Sequence, residues 1–207
     1  MRFQDTFVMG QNFTLGAIQM ILQILYSLKT ASELYMRNIQ DILKSKKIEQ
    51  NLMSEIVDNG FTLLELAKQA NDIYGKLLAI DFISIMMMNV VGVFTCLGLT
   101  TDLAHICLCI TGFFIVILNM IKLYSYTRIG QGLSEVYFEI QDGMEKLLLL
   151  DGIGVKQRRE LEFLVKRFSA RAPIRPLDMF DMNSANFAVI SNIMMTYVII
   201  LMQFKGF

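Results

Sequence analysis

The sequence predicts an all-α polytopic membrane protein, with four transmembrane helices and long cytosolic helical extensions. Three observations carry this. Apolar residues make up 54% of the 207, and the mean hydropathy is +0.47, far above an ordinary soluble domain. Uncharged runs of about twenty residues recur, each long enough as a helix to cross a bilayer core. Between them lie charged stretches whose apolar residues return at helical spacing. Two prolines in the whole chain leave few helix breaks.

Residues 1–28 hold the first predicted span. Thr6 to Leu28 carries no charge, yet Gln11, Asn12, Thr14, Gln19 and Gln23 make it polar for its class. It reads as a buried membrane helix or the tail of one that begins upstream. Asn12-Phe13-Thr14 matches a glycosylation acceptor but would be unreachable inside a span. The start, Met1-Arg2-Phe3-Gln4-Asp5, lacks the basic-then-apolar order of a cleavable signal.

Residues 29–76 form a helical linker. Leu34, Ile39, Ile42, Leu43, Leu52, Met53, Ile56 and Val57 recur at helical spacing among seven basic and seven acidic residues. Asn59-Gly60 is the one obvious breaker, so the linker reads as two helices meeting there. Their apolar stripes need partners, which implies a helical bundle beneath the bilayer.

Residues 77–101 and 105–123 are the next two spans, an antiparallel hairpin around a turn at 102–104 that contains Asp102. Asn89 and Asn119 are polar groups at membrane depth, candidates for ligand contact or for a hydrogen bond between helices. Asp81 is expected at the interface, five residues after Lys76. His105 sits at the hairpin's mouth, where its imidazole can contact a ligand, sense pH or simply stay solvated. Cys96, Cys107 and Cys109 have no paired spacing; they read as buried thiols, without a disulfide framework or metal site.

Residues 124–178 are the second polar region. Leu133, Val136, Tyr137, Ile140, Met144, Leu147 and Leu148 continue a helical stripe, and Asp151-Gly152-Ile153-Gly154 breaks it. These glycines follow no strand and make no phosphate loop. A second helix is expected from about Lys156 to Phe168, with Arg158, Arg159, Lys166 and Arg167 as a basic face toward lipid headgroups. Arg171-Ala172-Pro173-Ile174-Arg175-Pro176 then forces an extended connection.

Residues 179–204 are the last span, uncharged from Met182 to Phe204. At 100° per residue, Ala185, Ala188, Asn192, Thr196, Ile199 and Gln203 share one narrow face, small and polar except for the isoleucine. Phe187, Ile190, Met194, Val198 and Leu201 lie opposite, suited to lipid or to apolar packing. Hydrocarbon cannot satisfy amides and hydroxyls, so the stripe must meet protein or water. Close helix packing and a pore lining both meet that need, and periodicity does not choose between them.

Loop charge sets the orientation. Seventeen of nineteen Lys and Arg lie in the two long linkers, with Lys122 counted at the edge of the second, and none in the hairpin turn. The linkers are therefore expected in the cytosol, with the turn and residues 205–207 outside. A zero net charge recruits no nucleic acid. No nucleophile, base and orienting group converge, so no enzyme and no cofactor is expected.

Thr196-Tyr197, five apolar residues and Gln203-Phe204 close the last span, after Leu177-Asp178-Met179-Phe180-Asp181-Met182. This pattern resembles the signature of the insect gustatory receptors, relatives of the insect odorant receptors. The layout resembles the last four helices of those seven-helix chemoreceptors. The resemblance implies a plasma-membrane subunit of a ligand-gated, non-selective cation channel that detects small-molecule tastants. It also implies homo- or hetero-tetramers, with residues 124–178 in a cytosolic anchor region, residues 179–204 lining the pore and ligands bound in the outer half of the bundle. Thr196, Tyr197, Gln203 and Phe204 carry over by motif; Asn192 and Ile199 join them on the helical face. Three further spans are expected upstream. The alternatives are a fragment of a membrane transporter, with a midplane site around Asn89, Asn119 and Asn192, and a non-conducting structural membrane protein. The spans lack the prolines of broken transporter helices.

Overall fold

The computed structural model describes residues 2–45, 50–97, 103–150, 152–170, 174–176 and 181–204. Among them the regular structure is helical throughout, with no strand. The helices are α1 (Arg2–Ser45), α2 (Gln50–Leu97), α3 (Leu103–Leu148), α4 (Val155–Ala170) and α5 (Ser184–Phe204). At 48 and 46 residues, α2 and α3 are each roughly 70 Å long, more than twice a bilayer core. They are the two described helices long and apolar enough to cross a membrane, and Ser184–Ile200 is a shorter apolar helix.

The chain divides into two units, one of Met1–Tyr74 with Gly132–Ile174, the other of Gly75–Gln131 with Arg175–Phe207. In the first, α1 buries Ile21, Leu25, Leu28, Ser32, Tyr35, Ile39 and Ile42. These alternate by four and three residues, the 3.5-residue repeat that keeps one seam on its neighbours. The later part of α3 does the same with Leu133, Tyr137, Ile140, Met144 and Leu147, and α4 adds Leu161, Leu164 and Phe168. Charged residues occupy the outward positions, including the i,i+4 pairs Lys29–Glu33 and Lys146–Asp142. From Lys29 onward the described part of this unit is a helical bundle with charged side chains on its outer surface.

Along α2 the seam runs Met53, Ile56, Gly60, Leu63, Ala67, Ala70 and resumes at Leu78, Phe82, Ile85, Asn89, Gly92. Ala70 and Leu78 stand eight residues apart where the repeat requires seven. The added residue shifts the seam's phase where the chain leaves one unit for the other, a local change in winding without a break.

The expected break at Asn59-Gly60 is therefore corrected. Both residues lie in the interior of α2, which runs unbroken from Gln50, and the helix before it ends at Ser45. Gly60 serves packing: a Cβ there would meet the Tyr35 hydroxyl at 2.6 Å and Leu164 Cδ1 at 2.9 Å. The break after α3 stands where expected. Leu149 and Leu150 donate to the carbonyls of Lys146 and Leu147, Gly152 takes a φ of 98°, and Arg158 donates to Gly154 to open α4.

The second unit is covered differently. Ile80, Ile83, Met87 and Val91 on α2, and Ile110, Phe113, Phe114, Leu118 and Ile121 on α3, all point outward. Apolar side chains over so much of a surface suit hydrocarbon rather than water. Inside, the α2–α3 hairpin closes tightly: a Cβ on Gly92 would lie 3.2 Å from the Gly112 carbonyl oxygen. Of the expected hairpin turn at 102–104, Asp102 lies outside the described residues and residues 103 and 104 belong to α3 instead; the side chains of Cys96, His105 and Cys107 also lie outside the described ones. Cys109, expected to be buried, is half-buried.

Candidate functional site

The last helix begins on a cap. The Asn183 side-chain oxygen accepts the Asn186 N–H at 2.9 Å, and its carbonyl accepts from Phe187 at 3.2 Å. Two further links hold the chain just before it. Asn186 donates from its side chain to the Asp181 carbonyl, and Arg175 Nε pairs with Asp181 Oδ1 at 2.9 Å. Met182 is buried over Gly130 of α3, where an added Cβ would come within 2.6 Å of the Met182 carbonyl oxygen. The absence of a side chain on Gly130 thus lets the base of α5 approach α3 closely.

The structure gives the two faces of α5 opposite environments. Ile190, Met194 and Val198 are buried, and Phe187 meets the Tyr124 ring edge-on at 6.2 Å between centroids. Of the two uses open to this face, lipid contact or apolar packing, it has the second. Asn192, Thr196, Ile199 and Gln203 all point out of the chain, Ile199 with 51% of its surface exposed. Thr196 Oγ donates to the Asn192 carbonyl at 2.9 Å, which satisfies its proton within the helix. The outward amides of Asn192 and Gln203 are the stripe's main polar groups. Tyr197 is exposed on the neighbouring flank, and the Phe204 side chain lies outside the described residues.

Asn89 belongs to the interior. It is 2% exposed and faces α5, donating from Nδ2 toward the Met194 sulfur at 3.6 Å. The charges stand lower on the hairpin: Asp81 pairs with Lys122 at 2.5 Å and accepts from the Tyr126 hydroxyl at 2.9 Å. Tyr126 in turn stacks on Phe82, 6.1 Å between centroids. This cluster joins α2 and α3 across 41 residues of sequence and is only 16–17% exposed at its two charges. Sequence reasoning placed Asp81 at an interface without finding its partners.

Among the described residues no group of His, Cys, Asp and Glu has the makings of a metal site. The described grooves belong to the first unit, about 340 and 230 Å³, between α1 and α2 and sharing Asn38 and Asn59. Burial there pushes the phenols of Tyr35 and Tyr137 well above their ordinary pKa, with Ser32 partly opposing the shift at Tyr137.

No family model and no curated protein matches the chain. Among solved structures it is similar to the insect olfactory receptor OR5 from Machilis hrabei in complex with eugenol, with a TM-score of 0.60 and 16% sequence identity. The match covers 90% of this chain and 45% of that one, so the chain spans less than half the receptor's length. At that identity the likeness is one of fold alone.

Proposed function

We propose that the chain is the C-terminal part of an insect chemoreceptor subunit of gustatory type, a ligand-gated, non-selective cation channel in the plasma membrane. The observation that carries this is the outward stripe of α5. Asn192, Thr196, Ile199 and Gln203 face away from their own chain while the apolar side of the helix packs inward. In a membrane, outward amides require another subunit or water. Four copies around an axis supply both, with Ile199 forming a constriction that stops ions by dewetting and Gln203 a ring of amides near one mouth. The Thr196-Tyr197 and Gln203-Phe204 pattern and the fold shared with an olfactory receptor support the same reading. That receptor was solved with eugenol, and a small organic tastant is the matching ligand class here.

In this reading residues 29–76 and 124–178, rich in charge, lie in the cytosol and hold the subunits together. The spans lie in the membrane, with the outward isoleucines, methionines and phenylalanines of the second unit in lipid. Single cysteines on α5 test the assignment with a water-soluble thiol reagent. Cysteines at 192, 196, 199 and 203 should react and block current, whereas those at 190, 194 and 198 should stay silent. Equal reaction on both faces, or none on the first, contradicts a pore-lining α5.

A further inference from the structure

In the first unit, α4 covers the seam between α2 and α3. Its Leu164 reaches Gly60, Phe163 stands 6.0 Å from the Phe61 ring, and Phe168 stands 5.0 Å from Tyr137. The seam between α1 and α2 has no such cover among the described residues. It holds the two grooves that share Asn38 and Asn59, which together run from Ser45 and Leu52 to Ala31 and Leu66. By helical rise that is about 21 Å, close to the roughly 24 Å of α4. The floor is apolar, made by Tyr35, Ile42, Ile56 and Leu63, all buried. The rims are exposed and ordered. Leu52 stands at one end, Leu34 and Leu66 toward the other, and Asp41 and Glu55 line the groove from opposite helices next to Leu52. Neither carboxylate is in an ion pair among the described residues, whereas Glu33 and Asp142 of the same unit are. No Lys or Arg lines the groove, and α2 has none from Gln50 to Ala67, against Glu55, Asp58 and Glu65.

We propose that this groove is the docking site of an amphipathic helix from a partner protein, with apolar side chains at its two ends and Lys or Arg between them. The groove's own order sets the pattern. Side chains that enter it recur every three or four residues of the occupant. They run from an apolar one against Leu52, through basic ones for Asp41 and Glu55 and an amide for Asn38 and Asn59, to apolar ones against Leu34 and Leu66. The α4 of a second copy is basic too, but its apolar side is already buried in its own chain through Leu161, Leu164 and Phe168. A separate protein therefore supplies the helix. The carboxylates steer its approach and fix its register, and the apolar ends hold it. That the partner is cytosolic rests on the topology proposed above; the docking itself does not.

The experiment titrates the purified full chain in detergent with two fluorescent, alanine-based helical peptides. The first displays leucine, two arginines, glutamine and two leucines in that order along one face; in the second, glutamates replace the arginines. The first should bind about tenfold more tightly, and the gap should narrow as salt rises. Asp41→Asn combined with Glu55→Gln, both at exposed positions, should weaken the first peptide about tenfold. Leu66→Ser should weaken it at every salt concentration, and Arg158→Ala on α4 should change nothing. Equal binding of the two peptides, binding of neither, or indifference to Asp41 and Glu55 overturns the proposal. Light scattering on the same samples tests for the other occupant. A drop in oligomeric mass in the Asp41 and Glu55 variant assigns the groove to a second copy and also overturns it. None of these readouts involves conduction, so the docking site and the pore assignment fail separately.

Discussion

Gly60 offers the sharpest test of how the first unit is packed. Alanine is the better helix former, and at an open position the exchange stabilises a helix by about 1 kcal/mol. At Gly60 the new methyl would stand 2.6 Å from the Tyr35 hydroxyl, which donates to the Ile56 carbonyl at 2.9 Å. That carbonyl also receives the helical N–H of residue 60, so the phenol occupies the space directly over the glycine. Tyr35 must move, and a buried hydroxyl then loses its acceptor, at roughly 1–3 kcal/mol. Overpacking against Leu164 adds about 1 kcal/mol, at the lower end of its range because that methyl is the end of a flexible side chain. After the helix gain, Gly60→Ala should destabilise by about 2 kcal/mol, near 6 °C in the unfolding midpoint. Gly16, with nothing within 4 Å of an added Cβ, is the control and should rise by about 3 °C. In a Tyr35→Phe background the Gly60→Ala loss should largely vanish, because the clashing atom is gone. A neutral or stabilising Gly60→Ala in the parent refutes the packing argument.

Other predictions concern charge and proton binding. Burial raises the pKa of Tyr35 and Tyr137 above the ordinary 10.0, so the folded chain keeps their protons after the unfolded chain has lost them. Their contribution is complete below about pH 10 and falls above it, by up to about 1.4 kcal/mol per pH unit for each. Denaturant titrations from pH 8 to 11 should show that decline, and Tyr35→Phe should make it shallower; an unchanged slope contradicts the burial assigned to Tyr35. At the hairpin, Lys122→Met leaves Asp81 partly buried with only the Tyr126 hydroxyl and should cost about 2–4 kcal/mol, measured in detergent. Asp81→Leu combined with Lys122→Met should recover most of that loss. Recovery absent from the double variant means the two charges do not act as a pair.

The parts of this architecture legible in the sequence were those with local causes. The seams of α1, α3 and α4 follow from apolar residues spaced by three and four, and the two helices long and apolar enough to cross a membrane from uncharged length. The α3–α4 break was legible because Gly152 takes a positive φ that few other residues accept. Asn59-Gly60 has the form of a turn, but its glycine answers to the Tyr35 phenol on another helix, a tertiary contact no local pattern carries. The same distance in sequence hid the Asp81–Lys122–Tyr126 cluster and the Gly130 notch under Met182. On α5 the polar stripe was readable by angle, whereas its outward direction depends on where Met194 and Val198 pack. The Asn183 cap had a signal, an asparagine just ahead of an apolar run, that the span's uncharged length overshadowed.

The central claim is that Ile199 and Gln203 face a shared aqueous axis, and ion selectivity tests it most directly. Currents should be recorded from Gln203→Glu, Gln203→Arg and Ile199→Ser channels, with surface expression measured in the same cells. Four added carboxylates in Gln203→Glu should favour divalent over monovalent cations, and Gln203→Arg should suppress cation flow. Ile199→Ser should wet the constriction and raise current in the absence of ligand. Gln203 variants that reach the surface normally and conduct with unchanged selectivity would contradict the account, leaving the outward stripe as a packing surface between membrane helices.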